Sequence, residues 1–226
     1  MTDHATLTIV HYDPKHTGLK DFAKKAVEAS KEHAKGARFL TFVPVDGPKD
    51  VAYVWFQHAS HSELHGDGHT AALSESVGDD KATAMVGEAS GGVKNMGSIL
   101  MGRTKSHGRV DGKVPKYVVA YGVKFDPDKA KEFKEAAEAL VASNAKSSKP
   151  VSFGVHRPAS GGNGERLVLI GIDDLKDLDH DGHLNASRGH DHLGKGHAES
   201  VGRSLSDSVT AVHRQVLRYV PELSTH

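Results

Sequence analysis

The sequence predicts an α+β protein, built as two tandem βαββαβ units whose antiparallel sheets pack together into an α+β barrel. Three observations lead there. β-branched and aromatic runs at 6–12 (TLTIVHY) and 117–125 (YVVAYGVKF) each lead through Asp-Pro into a helical pattern. Landmarks recur at one spacing: Asp13-Pro14 and Asp126-Pro127 lie 113 residues apart, and Phe39/Phe153, Pro44/Pro158, Val54/Val168 and Asp67-Gly68-His69/Asp181-Gly182-His183 lie 114 apart. Strands such as YVVAYGV are apolar on both faces, whereas a half-solvated antiparallel sheet would alternate. A sheet greasy on both sides needs a second layer, and two such sheets can supply it to each other.

Each element follows from local pattern. Proline tolerates the first helical turn, so each Asp-Pro pair ends a strand and opens a helix. Leu19, Phe22, Ala23, Ala26 and Val27 recur at helical spacing, as do Ala130, Phe133, Ala137, Leu140 and Val141. Strands are expected at 37–43 and 51–57, joined through Asp46-Gly47-Pro48, and at 151–156 and 166–172, joined through the glycine-rich 160–164. A second helical region follows in each copy. Closing strands are expected at 98–101 and 214–220. The units are therefore placed at 1–102 and 116–226, with the polar stretch 103–115 as linker.

Composition narrows the function classes. Lys+Arg and Asp+Glu are both 29, which gives a nucleic-acid surface neither a basic excess nor a basic stripe. No apolar run has the roughly 18 residues of a membrane helix. With no cysteine, disulfides and thiolate metal sites are excluded. The polar start, Met1–Ala5, lacks the order of a secretory signal, and the expected compartment is the cytoplasm. There is no phosphate-binding loop, nucleophile elbow or dinucleotide fingerprint after a strand.

The chemistry-bearing residues are histidines and aromatics. Of seventeen histidines, nine fall in two groups, one at His58, His61, His65 and His69, the other at His180, His183, His190, His192 and His197. If helical, the first group places His61, His65 and His69 on one face, and imidazoles four apart can share a metal ion. The candidate metal ligands are His61, His65, His69, His180 and His183. Asp67 and Asp181 can instead cap the second helices. His69 and His183 can also serve an organic ligand, and His11, on the first strand, can act as a general base near neutral pH. Tyr53, Trp55, His65 and Tyr121 are the candidate pocket residues.

One stretch carries a family resemblance. Tyr53-Val54-Trp55-Phe56-Gln57 leads into Ser62-Glu63-Leu64-His65 and then His69. The second copy keeps Leu175, Leu178 and His183 but has Asp179 in place of His65 and Leu169 in place of Trp55. This resembles the antibiotic-biosynthesis-monooxygenase-like members of the dimeric α+β barrel superfamily, whose unit is ferredoxin-like. The resemblance implies a pocket between sheet and helices, in a superfamily of cofactor-independent oxygenases, haem proteins, isomerases, cyclases and proteins without known activity, so fold constrains function poorly. The expectation is a small-molecule-binding protein, acting on a hydrophobic ligand as a cofactor-independent monooxygenase or isomerase. The alternatives are a histidine-based metal- or haem-binding protein and a non-catalytic interaction protein. No motif demands a cofactor; a transition metal or haem stays open. Monomer and homodimer are both compatible with the duplication.

Overall fold

The structure is a computed structural model that describes residues 4–32, 38–58, 68–107, 113–146, 151–159, 164–178 and 195–225. The chain is α+β. Its strands are β1 (His4–Tyr12), β2 (Arg38–Pro44), β3 (Val51–His58), β4 (Val93–His107), β5 (Tyr117–Phe125), β6 (Ser152–Pro158), β7 (Glu165–Ile172) and β8 (Val209–Tyr219). The helices among the described residues are α1 (Thr17–Glu32), α2 (Gly68–Val77), α3 (Asp79–Gly91), α4 (Ala130–Lys146) and α5 (Lys195–Ser208).

The chain divides into two compact units, one of residues 1–101 with 218–226, the other of 102–217. In the first, β3 pairs antiparallel with β1 on one side and β2 on the other, and β4 lies beyond β1. In the second, β7 pairs antiparallel with β5 and β6, and β8 lies beyond β5. Numbered within its own unit, each sheet runs 4-1-3-2, the order of a ferredoxin-like unit.

Asp-Pro opens a helix only in the second copy. Asp126 Oδ1 accepts the Asp128 N–H at 3.0 Å and caps the short turn Pro127–Lys129 that runs into α4. Asp13 Oδ1 accepts the Lys15 N–H at 2.9 Å in a like Asx turn, but α1 begins only at Thr17. There His16 is the cap, its Nδ1 accepting the Leu19 N–H at 3.2 Å. The second helical region of the first unit is two helices, not one. Gly78 separates them at φ +86°, a left-handed conformation that favours glycine. Asp79 and Asp80 then fill the first turn of α3, where negative charge meets the positive helix end.

Strand ends differ from the expectation. β4 begins at Val93 and runs to His107, through residues expected to be linker. β8 begins at Val209, and the chain after Leu217 belongs to the first unit. Sheet pairing is made by backbone groups, so a polar stretch such as Arg103–His107 can lengthen a strand without an apolar pattern. The tail after β8 is tied to β2. Val220 N–H donates to Thr41 O at 2.9 Å, Thr225 N–H donates to Phe39 O at 3.0 Å, and the buried Ser224 Oγ accepts the Thr41 N–H at 2.8 Å.

The second unit has a continuous core. Val119, Val123, Phe125, Val168, Ile170, Ile172, Phe153 and Val155 pack beneath Phe133, Ala136, Ala137 and Leu140 of α4 and Val201 of α5. Phe125 and Phe133 stack with centroids 4.6 Å apart and planes 5° apart, a contact worth about 0.5–1.5 kcal/mol beyond its area. In the first unit the helices pack on one another through Ala29, Ala72, Leu73 and Ala82, with Phe22 and Val77 against them.

Candidate functional site

Strand register decides which side chains share a face. In the first unit Leu7, Trp55 and Leu40 form one cross-strand row, and Ile9, Tyr53 and Phe42 form the next. The opposite face carries the rows Thr6–Phe56–Phe39 and Thr8–Val54–Thr41. In the second unit the face bearing Val119, Val123, Val168, Ile170 and Phe153 is the one that meets α4 and α5. Its counterpart in the first unit, at offsets of 113 or 114 residues, bears Thr6, Val10, Val54, Phe56 and Phe39.

The two faces are filled differently. Val119 and Ile170 are 0% exposed, Val168 is 4% and Phe153 is 5%. Thr6, Val10, Val54, Phe56 and Phe39 are all only half-buried. Val54 and Val168 are the same residue type at equivalent positions, so the difference lies in what covers them. α4 brings Phe133 and Leu140 down onto the sheet, whereas the buried residues of α1 are Gly18, Ala26, Val27, Ala29 and Ser30.

The first-unit face mixes apolar Val10, Phe39, Val54 and Phe56 with Thr6, Thr8 and Thr41. Phe39 and Phe56 lie ring to ring at 5.4 Å, tilted by 43°. The buried Thr8 Oγ1 and the exposed Ser98 Oγ of β4 share a hydrogen bond at 2.9 Å. Hydroxyls can turn to suit a partner, so this pair offers a ligand both donor and acceptor. At the strand's end the Tyr12 hydroxyl donates to Lys49 O at 3.2 Å. Burial pushes its pKa up, and the Asp50 carboxylate adds to the shift.

The residues singled out in the sequence distribute as follows. Tyr53, Trp55 and His11 share one face of the first-unit sheet, with His11 opposite Val51. That face is opposite to the one bearing Val54 and Phe56. Tyr121 belongs to the second unit, half-buried against its core. Burial pushes the Tyr121 pKa up, with Arg214 pulling the other way. His69 sits in the first turn of α2, and His58 ends β3. His61, His65, His180 and His183 lie outside the described residues, as do the expected caps Asp67 and Asp181. Among the described residues no three or more His, Asp or Glu side chains are grouped as a metal ion would require. No described helix is long and apolar enough to cross a membrane.

The residues that sequence reading missed are Thr6, Thr8, Val10, Phe39, Val54, Phe56 and Ser98. The signal was the period of two in TLTIVHY, which places Thr6, Thr8 and Val10 on one face, away from Leu7 and Ile9.

No protein-family profile matches the chain, and no curated protein sequence matches it. Solved structures do. A candidate monooxygenase from Lactobacillus acidophilus superposes with a TM-score of 0.64 at 10% identity, over 97% of this chain and 94% of its own. A candidate monooxygenase from Fusobacterium nucleatum gives 0.60 at 13% identity, over 96% and 92%. A candidate chlorite dismutase, TA0507, gives 0.57 at 13% identity, over 98% and 96%. At such identities the likeness is one of fold, and it runs through both units of the chain. The resemblance carried by the Tyr53–His69 stretch therefore holds at the level of architecture: this chain has the fold of the ferredoxin-like, dimeric α+β barrel proteins, among them candidate monooxygenases and a candidate chlorite dismutase.

Proposed function

We propose that this protein binds a small hydrophobic molecule in its first unit, over the sheet face of Thr6, Val10, Phe39, Val54 and Phe56, and acts on it as a cofactor-independent monooxygenase or isomerase. One observation carries the reading. At five equivalent positions the second unit is buried (Val119, Val123, Phe153, Val168, Ile170) where the first is half-buried (Thr6, Val10, Phe39, Val54, Phe56), although Thr8 and Thr41 of that first-unit face are themselves buried. A mainly apolar surface with a few polar groups is what a small-molecule site needs, and the hydrogen-bonded Thr8–Ser98 hydroxyls are among those groups. The fold shared with candidate monooxygenases supports the choice of reaction class. His69 is the proposed acid–base group, since it opens α2 in the same unit.

A thermal-shift screen of planar hydrophobic compounds tests the reading. A ligand at 100 times its Kd stabilises by about 2.7 kcal/mol. For a chain of this size that raises the Tm by about 5–10 °C. Val54→Phe should abolish the shift, whereas His69→Ala should keep binding and lose turnover. Chelator-treated protein should bind as before. Loss of binding with the metal would favour the histidine-based reading instead, and indifference of every hit to Val54→Phe would remove the site from this face.

A further inference from the structure

Strand β4 borders the first-unit face, and its first half is uncovered on both sides. Lys94, Asn95, Met96, Gly97, Ser98 and Ile99 are all exposed. Two contacts fix how β4 lies against β1. Just past the end of β1, Asp13 N–H donates to Gly92 O at 2.8 Å, and within the strands Thr8 Oγ1 and Ser98 Oγ share their hydrogen bond at 2.9 Å. Moving forward along β1 is therefore moving back along β4, and the two strands run antiparallel. The touching hydroxyls put Thr8 and Ser98 on one face, and side chains two apart in a strand share a face. Met96 thus lies on the face of Thr8, in the cross-strand position next to Val10, while Ile99 lies on the opposite face.

Among the described residues Met96 is the most exposed large hydrophobic, at 62%. A lone apolar side chain on a surface needs no explanation. Met96 is not alone, because it adjoins the half-buried Val10, which shares its face with Val54 and Phe56. Apolar side chains lead from Val54 by way of Val10 to Met96, and there the face meets solvent.

We infer that the first-unit site opens across β4, with Met96 at its mouth, touching the outer end of a bound molecule and setting the length of ligand accepted. This mouth presupposes the ligand site proposed above and adds the shape of its ligand. Successive rows on one face of a strand are about 6.8 Å apart, so the row of Thr6, Phe56 and Phe39 lies about 14 Å from that of Val10 and Met96. The Thr8–Ser98 hydroxyls lie midway. The chemistry that fits is an elongated apolar molecule: an aromatic end over Phe39 and Phe56, a carbonyl or hydroxyl at the hydroxyl pair, and an aliphatic end at Met96. A flexible, polarisable methionine suits such an end, since it can repack against chains of different length.

Alkyl phenyl ketones, from acetophenone to octanophenone, have this order of groups and serve as probes. By calorimetry on the full chain, affinity should rise with chain length by up to about 4-fold per methylene, and the rise should stop in Met96→Glu. The chain has no cysteine, so Met96→Cys and Ile99→Cys each offer a single thiol, on opposite faces of one strand and both at exposed positions where the fold should tolerate them. Octanophenone should slow maleimide labelling of Met96→Cys at least 5-fold and leave Ile99→Cys unchanged, and adding Val54→Phe should remove the protection. Octanophenone binding that Val54→Phe abolishes, but that protects neither thiol or both alike, would overturn the mouth and leave the site standing. The same chain-length dependence in parent and Met96→Glu would do likewise. No binding of octanophenone to the parent chain would overturn the mouth and the ligand shape together, whereas the site itself fails only if no hydrophobic ligand is sensitive to Val54→Phe.

Discussion

Filling the first-unit face with a larger side chain separates accessible space from mere looseness of packing. Val54 sits between Thr8 and Thr41 in register and is half-buried. Its counterpart Val168 is 4% exposed, opposite Tyr121 and Val155. Val168→Phe forces a ring into a core already filled by Ile170 and Phe133 and should cost about 1–3 kcal/mol. At about 2–4 °C per kcal/mol for a chain of this size, the Tm should fall by about 2–12 °C. Val54→Phe inserts the same ring where the sheet face is still accessible. Each added methylene-sized group that becomes buried gains about 0.8 kcal/mol, part of which is offset by ordering the side chain. The net result should be neutral or stabilising by about 1 kcal/mol. The contrast is therefore one of sign between identical substitutions at equivalent positions. Urea and thermal unfolding followed by circular dichroism, on both variants and the parent, read it directly. Val54→Phe destabilising as strongly as Val168→Phe would mean that the first unit has no such space, and the ligand reading would lose its support.

Two further predictions concern the frame around the site. Ser224→Ala removes a fully buried hydroxyl that accepts the Thr41 N–H and donates to Val220 O. An unsatisfied buried partner costs about 1–3 kcal/mol, so the Tm should drop and amide exchange at Thr41 should quicken; an unchanged Thr41 exchange rate would show that the tail does not pin β2. Tyr12 and Tyr121 both have raised pKa values. The stability gained by keeping them neutral is fully present below the ordinary tyrosine value of about 10, and is lost as pH rises through their raised folded values. Ultraviolet titration should show these two ionising late, with Tyr12→Phe blunting the alkaline unfolding; ionisation in the ordinary range with the fold intact would contradict the burial.

Much of the architecture was legible because β-branched runs and amphipathic helices leave strong local patterns. TLTIVHY and YVVAYGVKF are strands, and both Asp-Pro pairs make Asx turns, of which that at Asp126 opens a helix while that at Asp13 precedes one. What local pattern could not give was where β4 and β8 extend, since Lys94, Asn95 and Arg103–His107 continue a strand without an apolar pattern. The helix break at Gly78 was likewise hidden inside a region with weak apolar periodicity. For the site, Tyr53 and Trp55 drew attention as aromatics. Their spacing of two puts them on one face and Val54 and Phe56 on the other. Which of those faces meets the helices is not written in a strand that is apolar on both sides.

The contrast between the units shows where the missing information resides. Val54 and Val168 are identical, and Phe39 and Phe153 are identical, yet one of each pair is buried and the other half-accessible. Residue type in the strands therefore does not decide whether the face is filled. α4 and α5 present Phe133, Leu140 and Val201 to the sheet, while the buried residues of α1 and α3 include Ala26, Ala29, Ala82 and Ala89, and the one large fully buried side chain of this set, Leu73 of α2, packs among helices. Because interiors pack to uniform density, small residues on a covering helix require either closer approach or something else in the gap. Val54 and Phe56 are half-buried beneath such helices. On the proposed reading a hydrophobic guest completes that interface, so enlarging helix residues such as Ala26 should compete with ligand as directly as enlarging Val54.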